Sequence, residues 1–350
     1  MNIFSKIQKF KNKIALIDDK QSFTYNDVLK KINNLKAYIN SKKLNFLICE
    51  NSVDCFTIYI GLIRTNSKVF LISNKITSDD LNILIKKFKP DNIFKPISFL
   101  LKNKYKNKKL FKNYEVLISK KNSYKKIDNR VSVLITTSGS SGDAKYVALS
   151  KNNILYNTQS IVKYLSLKST DQTITTLDLN YSYGFSILNT HIFSGASIIV
   201  TKRSILERNF WKFFKTNKIT NFSGVPSIYH ILKRFKLLKK FNNELRFLTA
   251  AGGKLDINTL RYFTKKMYKK NKNFYYMYGQ TEASPRMSYI KTKNILENPQ
   301  SIGKPISKGS FLLKDKNKKI IKKPYVSGIL NYRGPNIMLG YVKNIKNLEK

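Results

Sequence analysis

Val131-Ser-Val-Leu-Ile-Thr-Thr-Ser-Gly-Ser-Ser-Gly-Asp-Ala-Lys-Tyr-Val-Ala-Leu149 opens and closes as apolar strand and turns through hydroxyls and glycine between. Thr137, Ser138, Ser140 and Ser141 alternate with Gly139 and Gly142, and Lys145 ends the loop. Glycine lets a backbone approach a ligand closely, and consecutive amide N–H groups in such a turn make a concavity for anions. Hydroxyls add donors and the lysine adds a point charge. The loop fits a polyphosphate. It is not a Walker loop, because no Gly-Lys-Ser/Thr follows. Taken alone, the same composition fits a plain hairpin turn or a flexible linker equally well.

Working outward, apolar runs alternate with helical patterns. Phe46–Cys49 reads as a strand, Asn51 or Ser52 caps a helix to about Arg64, and Val69–Ile72 is the next strand. Asp79–Lys87 reads as helix before Pro90, and another helix starts at Ser150. Downstream, Ser182–Phe193 and Asn209–Asn217 read as helices, and Ala196–Val200, Asn221–Val225, Leu245–Thr249 and Asn273–Tyr278 as strands. The expected fold is α/β: doubly wound, mostly parallel sheets in two stacked subdomains, about 1–190 and 191–300. From Ile302 to residue 350, Gly and Pro punctuate short apolar runs, which predicts the start of a small, incomplete β-barrel lobe.

Composition bounds the partners. The chain has 350 residues, with 66 Lys+Arg against 20 Asp+Glu, a formal charge of +46. Such a balance points to nucleic acid or an anionic surface. Yet the lysines run the whole length in company with Asn, Ile, Tyr and Phe, which matches AT-rich coding bias. The densest run, Leu101–Lys126, reads as a solvated loop and helix face. No zinc spacing, recognition helix or RNA-binding aromatic motif is present, so no specific nucleic-acid partner is expected; a basic nucleic-acid-binding protein is the weaker alternative. Two cysteines, Cys49 and Cys55, and no signal-peptide core predict a cytoplasmic location. Glu50, Asn51 and Asp54 interrupt the apolar stretch Phe46–Ile63 well short of a transmembrane segment.

Three more segments fall at strand ends: Thr249-Ala-Ala-Gly-Gly-Lys-Leu255, Met277-Tyr-Gly-Gln-Thr-Glu282 and Tyr332-Arg-Gly-Pro-Asn-Ile-Met-Leu-Gly-Tyr341. With the Ser/Gly loop, in this order, they resemble the motif series of the adenylate-forming (AMP-binding) superfamily of acyl-CoA synthetases, peptide-synthetase adenylation domains and beetle luciferases. The resemblance covers essentially the whole chain. It implies that ATP and a small-molecule carboxylate form acyl- or aminoacyl-adenylate and pyrophosphate, after which CoA or a phosphopantetheine thiol, including one on an acyl carrier protein, displaces AMP. By the family pattern, Thr137 to Lys145 hold the β- and γ-phosphates and Gly252 and Gly253 run along the adenine. Within the Tyr278-Gly279-Gln280-Thr281-Glu282 segment, Tyr278 lies against the base, Thr281 contacts the α-phosphate and Glu282 binds Mg²⁺. Lys145, Thr281 and Glu282 are the catalytic candidates. Tyr181, Tyr183, Val225 and Arg286 are the candidates for the acyl pocket. His191 and His230 read as structural or exposed, Trp211 as part of a helix's apolar face, and Lys254 as solvent-facing.

The sequence also departs from that pattern. Ala144-Lys145-Tyr146 replaces Pro-Lys-Gly, and Tyr181 stands where many acyl-CoA synthetases place a pocket-gating histidine. The expected Thr-Gly-Asp motif and the C-terminal lid domain with its lysine do not follow before Lys350. The expectation is therefore an incomplete copy, with a truncated, catalytically impaired nucleotide-binding remnant as the alternative to an active ligase.

Overall fold

The computed structural model describes residues 3–40, 43–101, 105–119, 127–137 and 145–349. Two large sheets carry the architecture. The first runs, across the sheet, Gly340–Val342, Tyr146–Ser150, Val131–Thr136, Lys68–Ser73, Leu44–Cys49, Asn92–Pro96, Tyr114–Ile118 and Lys106–Lys109. The second runs Lys304–Pro305, Arg286–Lys291, Asn273–Gly279, Phe247–Ala250, Asn221–Gly224, Gln172–Thr175, Ser197–Val200, Ile14–Ile17 and Ser22–Thr24. Each sheet is parallel in its centre and antiparallel at both edges. Helices Val53–Arg64 and Ser78–Phe88 connect successive parallel strands of the first sheet, whereas the antiparallel pairs Ile14–Ile17 with Ser22–Thr24 and Lys106–Lys109 with Tyr114–Ile118 close by short turns.

Sheet membership does not follow chain order. Ile14–Ile17 pairs in parallel with Ser197–Val200, and Gly340–Val342 returns to pair with Tyr146–Ser150. All six residues of Leu44–Cys49 are buried, the mark of a strand covered on both faces. Helix Val53–Arg64 is buried at every position from Val53 to Ile63, and helix Ser182–Ser194 from Ser182 to Ile192. Both belong to a cluster that also holds Leu47 and Val133 of the first sheet with Leu16 and Ile198 of the second. The two helices are thus the filling between the sheets, which is why they are buried on every face, their polar side chains such as Asn189 included. Tyr59 Oη donates to Asn189 Oδ1 at 2.8 Å, tying one helix to the other.

Local signals set the ends of these helices. Ser52 Oγ accepts from Cys55 N–H, Thr77 Oγ1 from Asp80 N–H and Ser150 Oγ from Asn153 N–H. Each such cap is worth about 1 kcal/mol. The lysine-rich run differs from expectation. Its described part, residues 101 and 105–119, holds no helix but two strands, the edge strand Lys106–Lys109 with all four residues exposed and its neighbour Tyr114–Ile118. Lysines on an exposed strand edge keep it from pairing with other chains. Residues 310–333 supply a two-stranded antiparallel sheet, Ser310–Lys314 with Ile329–Arg333. Among the described residues, no helix is long and apolar enough to cross a membrane.

Candidate active site

Strand Asn273–Gly279 ends in a tightly constrained turn. A Cβ on Gly279 would lie 2.0 Å from the Pro285 carbonyl oxygen, so only glycine lets the chain fold back here. Gln280 N–H donates to that carbonyl at 2.9 Å. One turn of 3₁₀ helix, Thr281–Ala283, presents Glu282, and Arg286 begins the returning strand opposite Gly279.

Asn336, fully buried, holds this turn from the side. Its Nδ2 donates to the carbonyls of Ala283 at 2.6 Å and Arg286 at 2.8 Å, and its Oδ1 accepts from Tyr332 Oη at 2.9 Å. Asn157 Nδ2 donates to the same Arg286 carbonyl at 2.8 Å. Ser284 Oγ donates to the Asn336 carbonyl at 2.7 Å. Met338 N–H donates to the Glu282 carbonyl at 2.8 Å.

A cavity of about 870 Å³ opens where the second sheet's parallel strands end, the usual place for a ligand in such sheets. Thr137, Tyr181, Tyr183, Gly252, Gly253, Tyr278, Gly279, Gln280, Thr281, Glu282 and Arg286 all line it. Gly252 has φ +84°, and a Cβ there would stand 2.1 Å from Tyr181 Oη. Tyr276 Oη accepts from Leu255 N–H at 3.1 Å and pins the loop that carries both glycines. Tyr278 is 39% exposed, so its ring is open to the cavity and is not core packing. Val225 sits just behind the wall, its Cγ1 3.2 Å from where a Gly252 Cβ would be. Tyr183 Oη pairs with Thr249 Oγ1 at 2.6 Å, and burial pushes this phenol above its ordinary range.

Lys145 stands at the start of strand Tyr146–Ser150, where the returning strand Gly340–Val342 brings Tyr341 beside it. Its Nζ lies 5.7 Å from the Tyr341 ring centroid, and Tyr341 Oη donates to Glu282 Oε1 at 2.6 Å. That bond to a carboxylate pushes the Tyr341 phenol up to about 12. The phenol thereby links the two motif halves. Of the Ser/Gly loop, Thr137 and Lys145 are placed; Ser138, Gly139, Ser140, Ser141 and Gly142 lie outside the described residues.

The remaining candidates fall as expected. His191 is buried and bonded to the Ile187 carbonyl and Asn221 Oδ1. His230 is exposed beside Asp256, Trp211 is core, and Lys254 is exposed at the cavity mouth. Sequence reasoning missed Asn157, Tyr276, Asn336 and Tyr341. Asn336 and Tyr341 sit in the quoted segment 332–341, whose Gly-Pro-Asn and Gly-Tyr were visible without a partner to give them a task.

The chain belongs to the AMP-binding enzyme family, whose pattern matches residues 3–342. It is 29% identical over 236 residues to the acyl-CoA synthetase ALT10 of Alternaria alternata, covering 59% of this chain and 40% of that protein. It is 25% identical over 210 residues to the oxalate–CoA ligase of Saccharomyces cerevisiae, covering 60% of this chain and 38% of that one. The chain thus spans about two-fifths of the length of these relatives. In fold it is similar to the O-succinylbenzoate coenzyme A synthetase of Bacillus subtilis solved with AMP, with a TM-score of 0.77 at 17% identity, covering 97% of this chain and 71% of that one.

Proposed function

We propose that this chain forms the ATP- and acyl-binding part of an AMP-forming ligase that activates a small-molecule carboxylate. The observation that carries the reading is convergence. Thr137, Gly252 with Gly253, and Tyr278 to Glu282 are distant in sequence yet line one cavity, and Tyr341 links Lys145 to Glu282. In the reaction a carboxylate oxygen attacks the α-phosphorus of ATP. The bond to the bridging oxygen breaks, and pyrophosphate leaves with its electron pair. Two anions must meet and charge shifts to the leaving group, so positioning and neutralisation supply most of the catalysis.

On this reading Thr137 and Lys145, with the intervening loop, hold the β- and γ-phosphates. Tyr278 lies along the adenine, with Gly252 and Gly253 allowing close approach, and Thr281 contacts the α-phosphate. Glu282 fits a magnesium ligand: one carboxylate oxygen is held by Tyr341, which orients the group. Magnesium bound with nucleotide phosphates takes only one or two carboxylates from protein. Tyr181, Tyr183, Val225 and Arg286 shape the acyl side. The thiol that accepts the acyl group is CoA, as the relatives' names suggest, or phosphopantetheine on a carrier protein. Pyrophosphate exchange dependent on ATP and an acid tests the reading. Lys145→Ala and Glu282→Gln each lower it by more than about tenfold; full exchange in both variants refutes the site.

A further inference from the structure

Arg286 is 3% exposed and lines the cavity, and among the described residues its guanidinium forms no ion pair. Its Nε has no hydrogen-bond partner, and one terminal nitrogen reaches Ser186 Oγ at 3.4 Å. The guanidinium carbon lies 4.9 Å from the Tyr183 ring centroid, a contact that offsets only part of the lost hydration. Four other buried charges among the described residues are matched. Lys95 pairs with Glu115, Asp54 with Lys31, Glu50 with Lys202 and Asp171 with Arg246. Among the described residues, Arg286 has no such ion pair. A buried guanidinium with unused donors is costly unless something anionic meets it. Its backbone is clamped by Asn157 and Asn336, so the side chain starts from a fixed point.

Building on the carboxylate-activating reading above, we infer that the acid taken by this site carries a second anionic group, a carboxylate at its non-reacting end, which pairs with Arg286. The reacting carboxylate goes elsewhere. It must meet phosphate beside Thr281 and Glu282, which Tyr341 holds from strand Gly340–Val342, whereas the guanidinium lies against Tyr183 and Ser186 of helix Ser182–Ser194. Guanidinium and carboxylate match in planar, two-bond geometry.

The test compares acids matched in size, butanoate with succinate, hexanoate with adipate and benzoate with terephthalate, in pyrophosphate exchange by the full chain. Calorimetric binding of the same acids with ATP present is measured in parallel. The expected result is a preference for the diacid in at least one pair of about tenfold or more in kcat/KM. Arg286→Gln lowers kcat/KM for the diacid by about tenfold more than for its matched monoacid, and Arg286→Lys restores part of that difference. Equal or better use of every monoacid by the wild-type chain overturns the inference, and that comparison needs no folded variant. An equal loss for both acids of each pair in Arg286→Gln also overturns it, by placing the arginine on the reacting carboxylate. Exchange without diacid preference removes this inference alone. Absence of exchange and of ATP binding with every acid removes the carboxylate-activating reading, and this one with it.

Discussion

Replacing Gly279 by alanine tests whether the turn that carries the site depends on one missing Cβ. The added carbon would stand 2.0 Å from the Pro285 oxygen, 3.0 Å from its carbonyl carbon and 3.1 Å from Arg286 Cα, all backbone. Cβ contacts under 3.0 Å essentially never occur, so the turn must open by about 1 Å. The Gln280 N–H bond to Pro285 then breaks, a net loss of about 1 kcal/mol. Overpacking against backbone adds about 1–3 kcal/mol, for a total destabilisation of about 2–4 kcal/mol. Gly253→Ala is the control in the neighbouring motif. Its nearest neighbour is Pro226 Cγ at 3.2 Å and its φ is not left-handed, so the change stays within about 1 kcal/mol of zero. Urea unfolding followed by the single tryptophan reads both, because Trp211 is buried in a cluster with Phe274 and Ile290 from the two strands that the turn joins. If Gly279→Ala unfolds within about 0.5 kcal/mol of Gly253→Ala, the close-approach argument is wrong. In pyrophosphate exchange, the shifted turn lowers the rate by about a hundredfold, the usual consequence of a 1 Å displacement.

Asn336→Ala removes three side-chain hydrogen bonds from a fully buried position and destabilises by about 2–3 kcal/mol in the same urea assay; a change below about 0.5 kcal/mol would show that Asn157 alone suffices to hold the turn. Burial holds the His191 imidazole below its usual range, so the fold keeps it neutral while the unfolded chain takes up a proton near pH 6.5. Stability from this residue is present above pH 6.5 and is lost as pH falls through the lower folded value. His191→Gln should therefore flatten the acid side of the stability–pH curve, and an unchanged slope below pH 6.5 contradicts the assignment. Tyr341 titrates near 12 because of its bond to Glu282, so the wild-type minus Tyr341→Phe difference at 295 nm has its midpoint there. A midpoint near 10 would mean that the bond does not persist in solution.

The elements were legible where local chemistry decides them. The predicted strand at 46–49 and the helix ending at Arg64 match Leu44–Cys49 and Val53–Arg64, because an apolar run and a serine cap act within a few residues. The strands at 221–225 and 273–278 likewise match Asn221–Gly224 and Asn273–Gly279. Sheet membership was not legible, since nothing within Ile14–Ile17 specifies pairing with Ser197–Val200. The motif residues Tyr278 to Glu282 announced a candidate site through their resemblance, in order after the Ser/Gly loop, to the adenylate-forming pattern. Asn336 and Tyr341 did not, because a buried amide and an exposed phenol acquire their tasks only from a turn some fifty to sixty positions earlier. For the lysines of 106–109, composition gave exposure correctly and the element wrongly: solvated charge is equally at home on a helix face and on a strand edge.

The interleaved sheets also govern the order in which a growing polypeptide is able to settle. Ile14–Ile17 emerges from the ribosome early, yet its parallel neighbour is complete only at Val200. At a synthesis rate of about 5–20 residues per second, that strand waits roughly 10–40 s, and the helix Val53–Arg64, buried on every face in the finished fold, waits with it for its second sheet. The first sheet is held open longer still, until Gly340–Val342 arrives at its edge. Neither half is therefore finished before the other begins. Vectorial folding, one domain at a time, is closed to this topology, and the nascent chain carries sticky, partnerless surface through most of its translation.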